Sequence, residues 1–125
     1  MTNYPVGDFL IRIKNAAKAG HKDVVVDSTG LIKAVAKALK EEGIVGDVVE
    51  KAKKLTLRLT YKKKEPLLID LKLVSKPGLR VYMSRDELQK RRRSSILILT
   101  TPLGVMSSAK ALKKGVGGEV IAEVW

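Results

Sequence analysis

Two hydrophobic periods alternate along the first half of the chain, and this alternation constrains the fold more than any other feature of the sequence. Apolar residues recur at helical spacing over residues 6–17, with Pro5 suited to the first helical turn. A second helical period covers residues 32–39, where Ser28 or Thr29 is suited to cap the helix. We therefore expect two amphipathic helices. The inward positions of the first are Val6, Phe9, Leu10, Ile13, Ala16 and Ala17.

Strand-like patterns occupy the intervals between and after these helices. Short strands are predicted at residues 22–26 and 44–49, and residues 55–60 alternate apolar and polar side chains as a half-buried strand does. Residues 62–66 suit a turn, after which the alternation resumes over residues 67–73. The last two strands are therefore expected to form a hairpin, and the first half is predicted to have the order αβαβββ.

The run Lys76-Pro77-Gly78 is the best candidate for a boundary between two domains. Beyond it, Ser84 and Glu87 have capping-box spacing, which predicts a short helix. Further short strands are predicted at residues 80–82, 95–99 and 119–124, and a helix beginning after Ser107 or Ser108. We therefore predict an α+β protein. An N-terminal αβαβββ domain (residues 1–74) packs against a small, mainly-β C-terminal domain with short helices (residues 75–125).

Positive charge distinguishes this chain from an ordinary globular protein of its size. Its 125 residues include 25 Lys and Arg against 13 Asp and Glu, a formal net charge of +12. This surplus favours a polyanionic partner, although a merely soluble basic protein would have the same composition. The sequence shows no membrane-length apolar run, no signal peptide and no cysteine. We therefore expect a cytoplasmic protein with no membrane partner.

Enzymatic and metal chemistry find little support in the sequence. The single histidine, His21, lies in a polar loop, and there is no cysteine, so neither a hydrolase triad nor a thiolate metal site can be assembled. The aspartates lack calcium-loop spacing, and no phosphate-binding loop motif occurs. We predict no catalytic activity, no metal and no cofactor, with an RNA-modifying enzyme as the disfavoured alternative.

Small hydroxyls and glycines gather in two loops near the C-terminus, at residues 100–106 and 113–119. Small residues let a backbone approach a partner closely, and hydroxyl and N–H groups then read sugars, phosphates and base edges. The glycines of the second loop suit an anion cradle or, equally, a tight turn into the last strand. The last quarter of the chain is therefore predicted to form a surface for nucleic acid.

Three further features of the C-terminal half each have two readings. The basic run at residues 90–93 either contacts phosphate or forms a solvated face. Tyr82 is expected to stack on a base or ribose rather than to pack in the small C-terminal core. Trp125 is expected to pack, because large aromatic side chains are scarce in this chain.

Several segments are similar to the bacterial small-subunit ribosomal protein eight family, and the resemblance covers nearly the whole chain. The most specific matches are the junction at residues 75–82 and the loops at residues 104–106 and 113–119, followed by a terminal Val-Trp. Residues 11–16 and 39–44 resemble the family's first helix and the end of its second. On this basis the chain is identified as a member of that family.

The resemblance implies a two-domain α+β protein that binds a helix in the central domain of 16S ribosomal RNA and acts early in 30S assembly, as a monomer within the ribosome. It also implies contacts with neighbouring small-subunit ribosomal proteins. The alternative function is repression of translation through the chain's own operon mRNA. The residues that we assign to RNA binding are Arg12, Lys14, Asn15, Arg80, Tyr82, Thr100, Thr101, Gly104, Gly118 and Glu119.

The expected roles of these residues differ between the two halves. Thr100, Thr101 and the backbone around Gly104 suit a minor-groove or bulge contact. The family resemblance places Glu119, beside Gly118, in the site, where its carboxylate either accepts bonds from base amino groups or orients the Thr100 loop.

Cations and an aromatic ring are expected to supply the remaining contacts. Arg12, Lys14 and Asn15 on the first helix would reach phosphate and sugar. Arg80 would add a cation and Tyr82 a stacking face.

The loop at residues 100–104 departs from the family's usual Ser-Thr-Ser-Lys/Arg-Gly. Pro102 lacks a hydroxyl and a backbone N–H donor, and Leu103 lacks a cation. We therefore expect fewer contacts from this loop. The run at residues 90–93, more basic than the family pattern, is a candidate to compensate.

Overall fold

Helices and antiparallel strands alternate along the chain, which is an α+β protein as predicted. The computed structural model describes residues 5–59, 61–62, 65–66, 70–91 and 95–125. The first elements are α1 (Pro5–Lys18), β1 (Asp23–Asp27), α2 (Gly30–Glu41), β2 (Val45–Lys51), β3 (Lys54–Leu59), β4 (Tyr61–Lys62), β5 (Glu65–Pro66) and β6 (Leu71–Leu73). They are followed by β7 (Tyr82–Met83), α3 (Arg85–Lys90), β8 (Ile96–Thr101), β9 (Gly104–Ser107), α4 (Ser108–Lys114) and β10 (Gly118–Val124).

Both long helices form where the apolar period predicts them. All six predicted inward positions of α1 are buried. Thr29 rather than Ser28 caps α2, because its hydroxyl oxygen accepts a hydrogen bond from the backbone N–H of Ile32 at 3.2 Å. In the C-terminal half, Ser84 and Glu87 form the predicted capping box of α3, and Ser107 is the N-cap of α4.

The N-terminal sheet has the strand order β1-β3-β2, with both pairs antiparallel. Leu55, Leu57 and Leu59 on β3 are buried, as their alternation predicts. They join α1 and α2 in one hydrophobic cluster. The buried face of β3, the strand predicted to be half-buried, therefore belongs to the same hydrophobic core as the two helices.

The predicted hairpin between residues 55–60 and 67–73 is wrong. Strand β3 already has β1 and β2 on its two edges, and Leu71–Leu73 pairs instead with the last strand, β10. Within and beside the predicted turn at residues 62–66, Tyr61 pairs with Pro66 and Lys62 with Glu65, so these residues form the two-residue strands β4 and β5. Residues 60, 63–64 and 67–69 of this predicted hairpin lie outside the described residues.

The C-terminal sheet is built around β10. Its strand order is β6-β10-β8-β9, and β7 also pairs with β10 near the start of that strand. A small cluster of apolar residues lies under α3 and α4; its buried members are Leu88, Leu97, Leu99, Met106, Ala111 and Val120. The other face of the sheet contributes Ile98, Ile121, Ala122 and Val124 to the main cluster with α1 and α2.

Contacts between the two halves are therefore apolar and extensive. The Lys110–Glu41 salt bridge, with a distance of 3.1 Å between Nζ and Oε2, adds a polar link between α4 and α2. Because one core cluster includes side chains from both sides of residue 75, the N-terminal helices help to fix the position of the C-terminal sheet. The division into domains of residues 1–74 and 75–125 stays a prediction.

Candidate nucleic-acid interface

The hairpin between β8 and β9 projects a short, firmly held tip. Thr101 and Gly104 are opposite each other in register, with Pro102 and Leu103 exposed between them. The Thr101 hydroxyl donates to the carbonyl of Gly104 at 2.8 Å and accepts from the backbone N–H of Leu103 at 3.1 Å. Thr101 is buried and its hydroxyl is engaged within the turn, so its contribution to a surface is to hold the tip in shape.

Gly117, just before β10, and Gly118, its first residue, allow close approach between neighbouring segments of the chain. A Cβ on Gly118 would overlap the carbonyl of Thr100, and one on Gly117 would overlap the carbonyl of Met83. Both positions need glycine because the neighbouring backbones leave no room for a side chain. The structure therefore gives these two glycines a close-packing role.

Arg80, Thr100 and Glu119 meet at one groove of about 570 Å³. Glu119 is opposite Thr100 on one side of β10 and opposite Tyr82 on the other. The guanidinium Nη1 of Arg80 lies 3.3 Å from Oε2 of Glu119, so the cation is held at the groove. The Tyr82 side chain is exposed beside these residues, as expected of a stacking surface.

The rest of the groove is lined largely by apolar residues from the N-terminal half. The lining residues from that half are Pro5, Val6, Thr29 and Leu31, and Ile121 comes from β10. Sequence reasoning did not assign Leu31 to the site. The signal in the sequence is an apolar residue directly beside the inward position Ile32 of α2. The structure then shows that the Leu31 side chain is exposed.

The three site candidates on α1 do not line this groove. Arg12 donates to the backbone carbonyl of Val25 at 3.1 Å, and Lys14 forms a salt bridge with Asp70, at 3.1 Å from Nζ to Oδ1. Asn15 is exposed. The helix therefore presents a separate polar face.

Asp70 links that helical face to the start of β6. Lys18 also approaches its carboxylate, at 3.7 Å. The pKa of Asp70 is lowered from its ordinary value of 3.8, first because the backbone N–H of Leu71 donates to the carboxylate and next because Lys14 does. Asp70 therefore offsets part of the positive charge that Lys14 and Lys18 bring to α1.

The structure separates the members of the basic run. Arg91 turns inward, where its guanidinium donates to the carbonyl and hydroxyl of Ser95 and to Glu123. Both readings of the run, phosphate contact and solvated face, are therefore wrong for Arg91. Lys90 is exposed at the end of α3, and Arg92 and Arg93 lie outside the described residues.

The expected packing of Trp125 is also wrong. Its side chain is 45% exposed, although its backbone exchanges two hydrogen bonds with Asp70. Trp125 directly follows Val124, the last residue of β10, and it is Val124 whose side chain is buried in the main cluster.

These observations define a small, basic α+β binding protein. Its groove offers a cation, a hydroxyl and a carboxylate, and an exposed aromatic ring lies on the strand beside it. Across the described ranges, no group of His, Cys, Asp and Glu could hold a metal ion. No helix in the described part of the chain is long and apolar enough to cross a membrane.

Comparison with known proteins identifies the family to which this chain belongs. The family described as ribosomal protein S8 matches residues 4–125. The small ribosomal subunit protein uS8 of Acidobacterium capsulatum is 42% identical over 127 residues, covering 97% of this chain and 96% of the relative. Proteins of the same name from Synechococcus sp. and Desulforudis audaxviator are 42% and 41% identical, covering 98% and 100% of both chains. The chain belongs to the ribosomal protein S8 family.

Family membership confirms the resemblance found in the sequence motifs. It also confirms that the chain is a ribosomal protein of the translation machinery rather than an enzyme, with the expected ribosomal and cytoplasmic location.

Proposed function

We propose that this chain is a structural constituent of the small ribosomal subunit that binds a central-domain helix of 16S ribosomal RNA directly and supports 30S assembly. Full-length similarity to small-subunit relatives and a net charge of +12 support the proposal. The observation that carries it is the meeting of Arg80, Thr100 and Glu119 in one groove, beside the exposed hairpin tip.

The groove suits the chemistry of an RNA minor groove. That surface is wide and shallow and displays 2′-hydroxyls and base edges, which short polar groups on a stiff platform can reach. The exposed Thr100 hydroxyl can donate to or accept from such groups. Glu119 accepts hydrogen bonds, and its ion pair with Arg80 fixes the direction in which the guanidinium meets a phosphate.

The hairpin tip contributes shape more than charge. Pro102 and Leu103 replace polar positions of the family pattern, and both are exposed. The tip therefore offers apolar contact with sugars and the backbone groups near Gly104, held in place by the Thr101 hydroxyl. A small set of direct bonds in this loop is consistent with affinity that comes largely from phosphate contacts elsewhere.

Residues on α1 supply a second line of contact in this proposal. Lys14 and Arg12 would meet phosphates, and the exposed amide of Asn15 a sugar or phosphate oxygen. Neighbouring small-subunit proteins are the other partners. An RNA helix of the same shape in the chain's own mRNA would fit the same groove, which is the basis of the alternative repressor function.

Chemical footprinting of 16S ribosomal RNA tests the proposal. We expect protection confined to one central-domain helix, weakened by Thr100→Val and unchanged by Thr56→Val, which makes the same chemical change on the N-terminal sheet. Diffuse protection, or equal effects of the two variants, would contradict it. Tighter binding to the chain's own mRNA than to ribosomal RNA would favour the repressor.

A further inference from the structure

Trp125 exposes a large aromatic ring in a chain that has few of them. The sequence contains one Trp, three Tyr and one Phe, and the Trp125 side chain is 45% exposed. Tryptophan supplies much apolar area when it is buried, and it is enriched at interfaces, where one part of the ring meets a partner. The indole is therefore available to a binding partner rather than to the core.

The backbone of Trp125 is fixed although its side chain is exposed. Its N–H donates to the carbonyl of Asp70 at 3.1 Å, and its carbonyl accepts from the N–H of Asp70 at 2.9 Å. These two bonds continue the pairing of β6 with β10 by one residue. Because successive side chains of a paired strand point to opposite faces and Val124 is buried in the main cluster, the indole is directed away from that core.

Lysine side chains surround this position. Asp70 is directly opposite Trp125, and such a hydrogen-bonded pair has its Cα atoms about 5.5 Å apart. Lys14 and Lys18 of α1 approach the carboxylate of Asp70 at 3.1 and 3.7 Å. Lys72, two residues farther along the chain on β6, is exposed. Three lysines against one aspartate leave a surplus of positive side-chain charge around the indole.

An aromatic ring with cations around it has the chemistry of a contact for an unpaired nucleotide. A base stacks on the ring, and the cations neutralise the adjoining phosphates. We propose that Trp125 stacks on an unpaired base of the RNA that this chain binds, with Lys14, Lys18 and Lys72 at the neighbouring phosphates. The inference rests on the proposed function, which places Lys14 at a phosphate of that RNA.

The geometry of the strand makes this a second contact, separate from the groove. Six positions along β10 separate Trp125 from Glu119, which is roughly 20 Å at about 3.3 Å per residue. A base inside a regular duplex is stacked on both faces, so an indole is expected to select a loop, a bulge or a strand end. The surplus of lysines favours RNA over a polypeptide as the occupant.

The single tryptophan is its own probe, because all tryptophan emission comes from position 125. The isolated chain is titrated with 16S ribosomal RNA and, as a control, with a fully paired RNA duplex, while electrophoretic mobility shift measures binding. We expect 16S ribosomal RNA to quench most of the emission over the concentrations at which it binds, because a stacked base quenches indole fluorescence. The duplex should bind through phosphate contacts and leave most of the emission.

Variants separate stacking from a structural role. Trp125→Leu should weaken binding to 16S ribosomal RNA about tenfold, and Trp125→Phe should retain most of the affinity of the parent. Neither change should alter the slope of log affinity against log salt, since no charge is removed. Val49→Ala, at an exposed position on the N-terminal sheet, is the matched control and should bind like the parent.

Four outcomes would overturn stacking by Trp125. They are unchanged emission while RNA is bound, equal quenching by the duplex, equal loss of affinity in Trp125→Leu and Trp125→Phe, and a reduced salt slope in Trp125→Leu. Quenching that occurs only after other subunit proteins are added would assign the ring to a protein partner instead and would also overturn it. Failure of the parent chain to bind 16S ribosomal RNA would contradict the proposed function itself.

Discussion

The guanidinium of Arg91 lies 3.2 Å from Oε2 of Glu123, and the two side chains are only 15% and 11% exposed. Ser95 bridges them, because its hydroxyl donates to the same carboxylate oxygen and accepts from the guanidinium. This arrangement ties the segment after α3 to the last strand of the C-terminal sheet. Removing one partner of such an enclosed ion pair leaves the other charge uncompensated, which is costly.

Replacing Arg91 should therefore destabilise the fold. We expect Arg91→Ala to lower the free energy of unfolding by about 2–3 kcal/mol, because the enclosed carboxylate of Glu123 loses its guanidinium partner. Urea denaturation measures this change. Lys90→Ala, one residue earlier and exposed, is the control and should change stability by less than about 0.5 kcal/mol. Equal small effects of both variants would contradict a stabilising ion pair.

Gly118 should tolerate no side chain. We expect Gly118→Ala to lower the free energy of unfolding by about 2–4 kcal/mol, because the added methyl group overlaps the carbonyl of Thr100 and pushes β8 away from β10. The loss should extend to RNA affinity, since Thr100 lies on the displaced strand. Gly30→Ala is the matched control, as nothing lies within 4 Å of its added methyl group. Similar melting curves for the two variants would refute the close-packing role.

Local patterns predicted the elements well but not all the pairing between them. The apolar period of α1 identifies its buried face because residues three and four apart share one side of a helix. Alternation in residues 71–73 identifies a strand but not its partner, since the same pattern suits an edge of either sheet. The hairpin prediction was wrong for this reason: both edges of β3 were already occupied by strands from earlier in the chain.

The sequence supports a list of candidate binding residues, which stays a prediction, but not the geometry in which they meet. Arg80 and Glu119 are 39 residues apart and meet because β7 and β10 pair. The inward turn of Arg91 depends on Glu123, which is 32 residues away. The sequence of the basic run does not show which of its residues meets a carboxylate on a distant strand. Arg91 could therefore not be distinguished from the other cations of the run.

The two threonines of the hairpin should have separable roles. We expect Thr101→Val to lower the free energy of unfolding by about 1–2 kcal/mol, because the carbonyl of Gly104 and the N–H of Leu103 both lose their hydroxyl partner. Thr100→Val should leave stability within about 0.5 kcal/mol of the parent while weakening binding to the cognate RNA helix. Stability curves and binding to cognate and scrambled RNA measure both. Equal loss on the two RNAs would rule out recognition by Thr100.

Lys14 tests whether the face of α1 touches RNA. If its ammonium neutralises a phosphate, Lys14→Ala should reduce the slope of log affinity against log salt by about one. Lys37→Ala removes the same charge from an exposed position on α2 and should leave the slope unchanged. Equal reductions in the two variants would show a general effect of net charge and would remove α1 from the interface.

The pairing of Asp70 should make stability depend on acid pH. Its pKa in the folded chain is below the ordinary value of 3.8, so the ionised form stabilises the fold above that value. The stabilisation is lost as the pH falls from about 3.8 through the lowered pKa. We therefore expect Asp70→Asn to be less stable than the parent at neutral pH and the difference to disappear in stronger acid, as measured by urea denaturation across this range. Lys14→Ala is the comparison: the backbone N–H of Leu71 is the largest single cause of the lowered pKa, so this variant should keep part of the acid dependence. Complete loss of the dependence in Lys14→Ala would reverse that order and make the salt bridge the main cause.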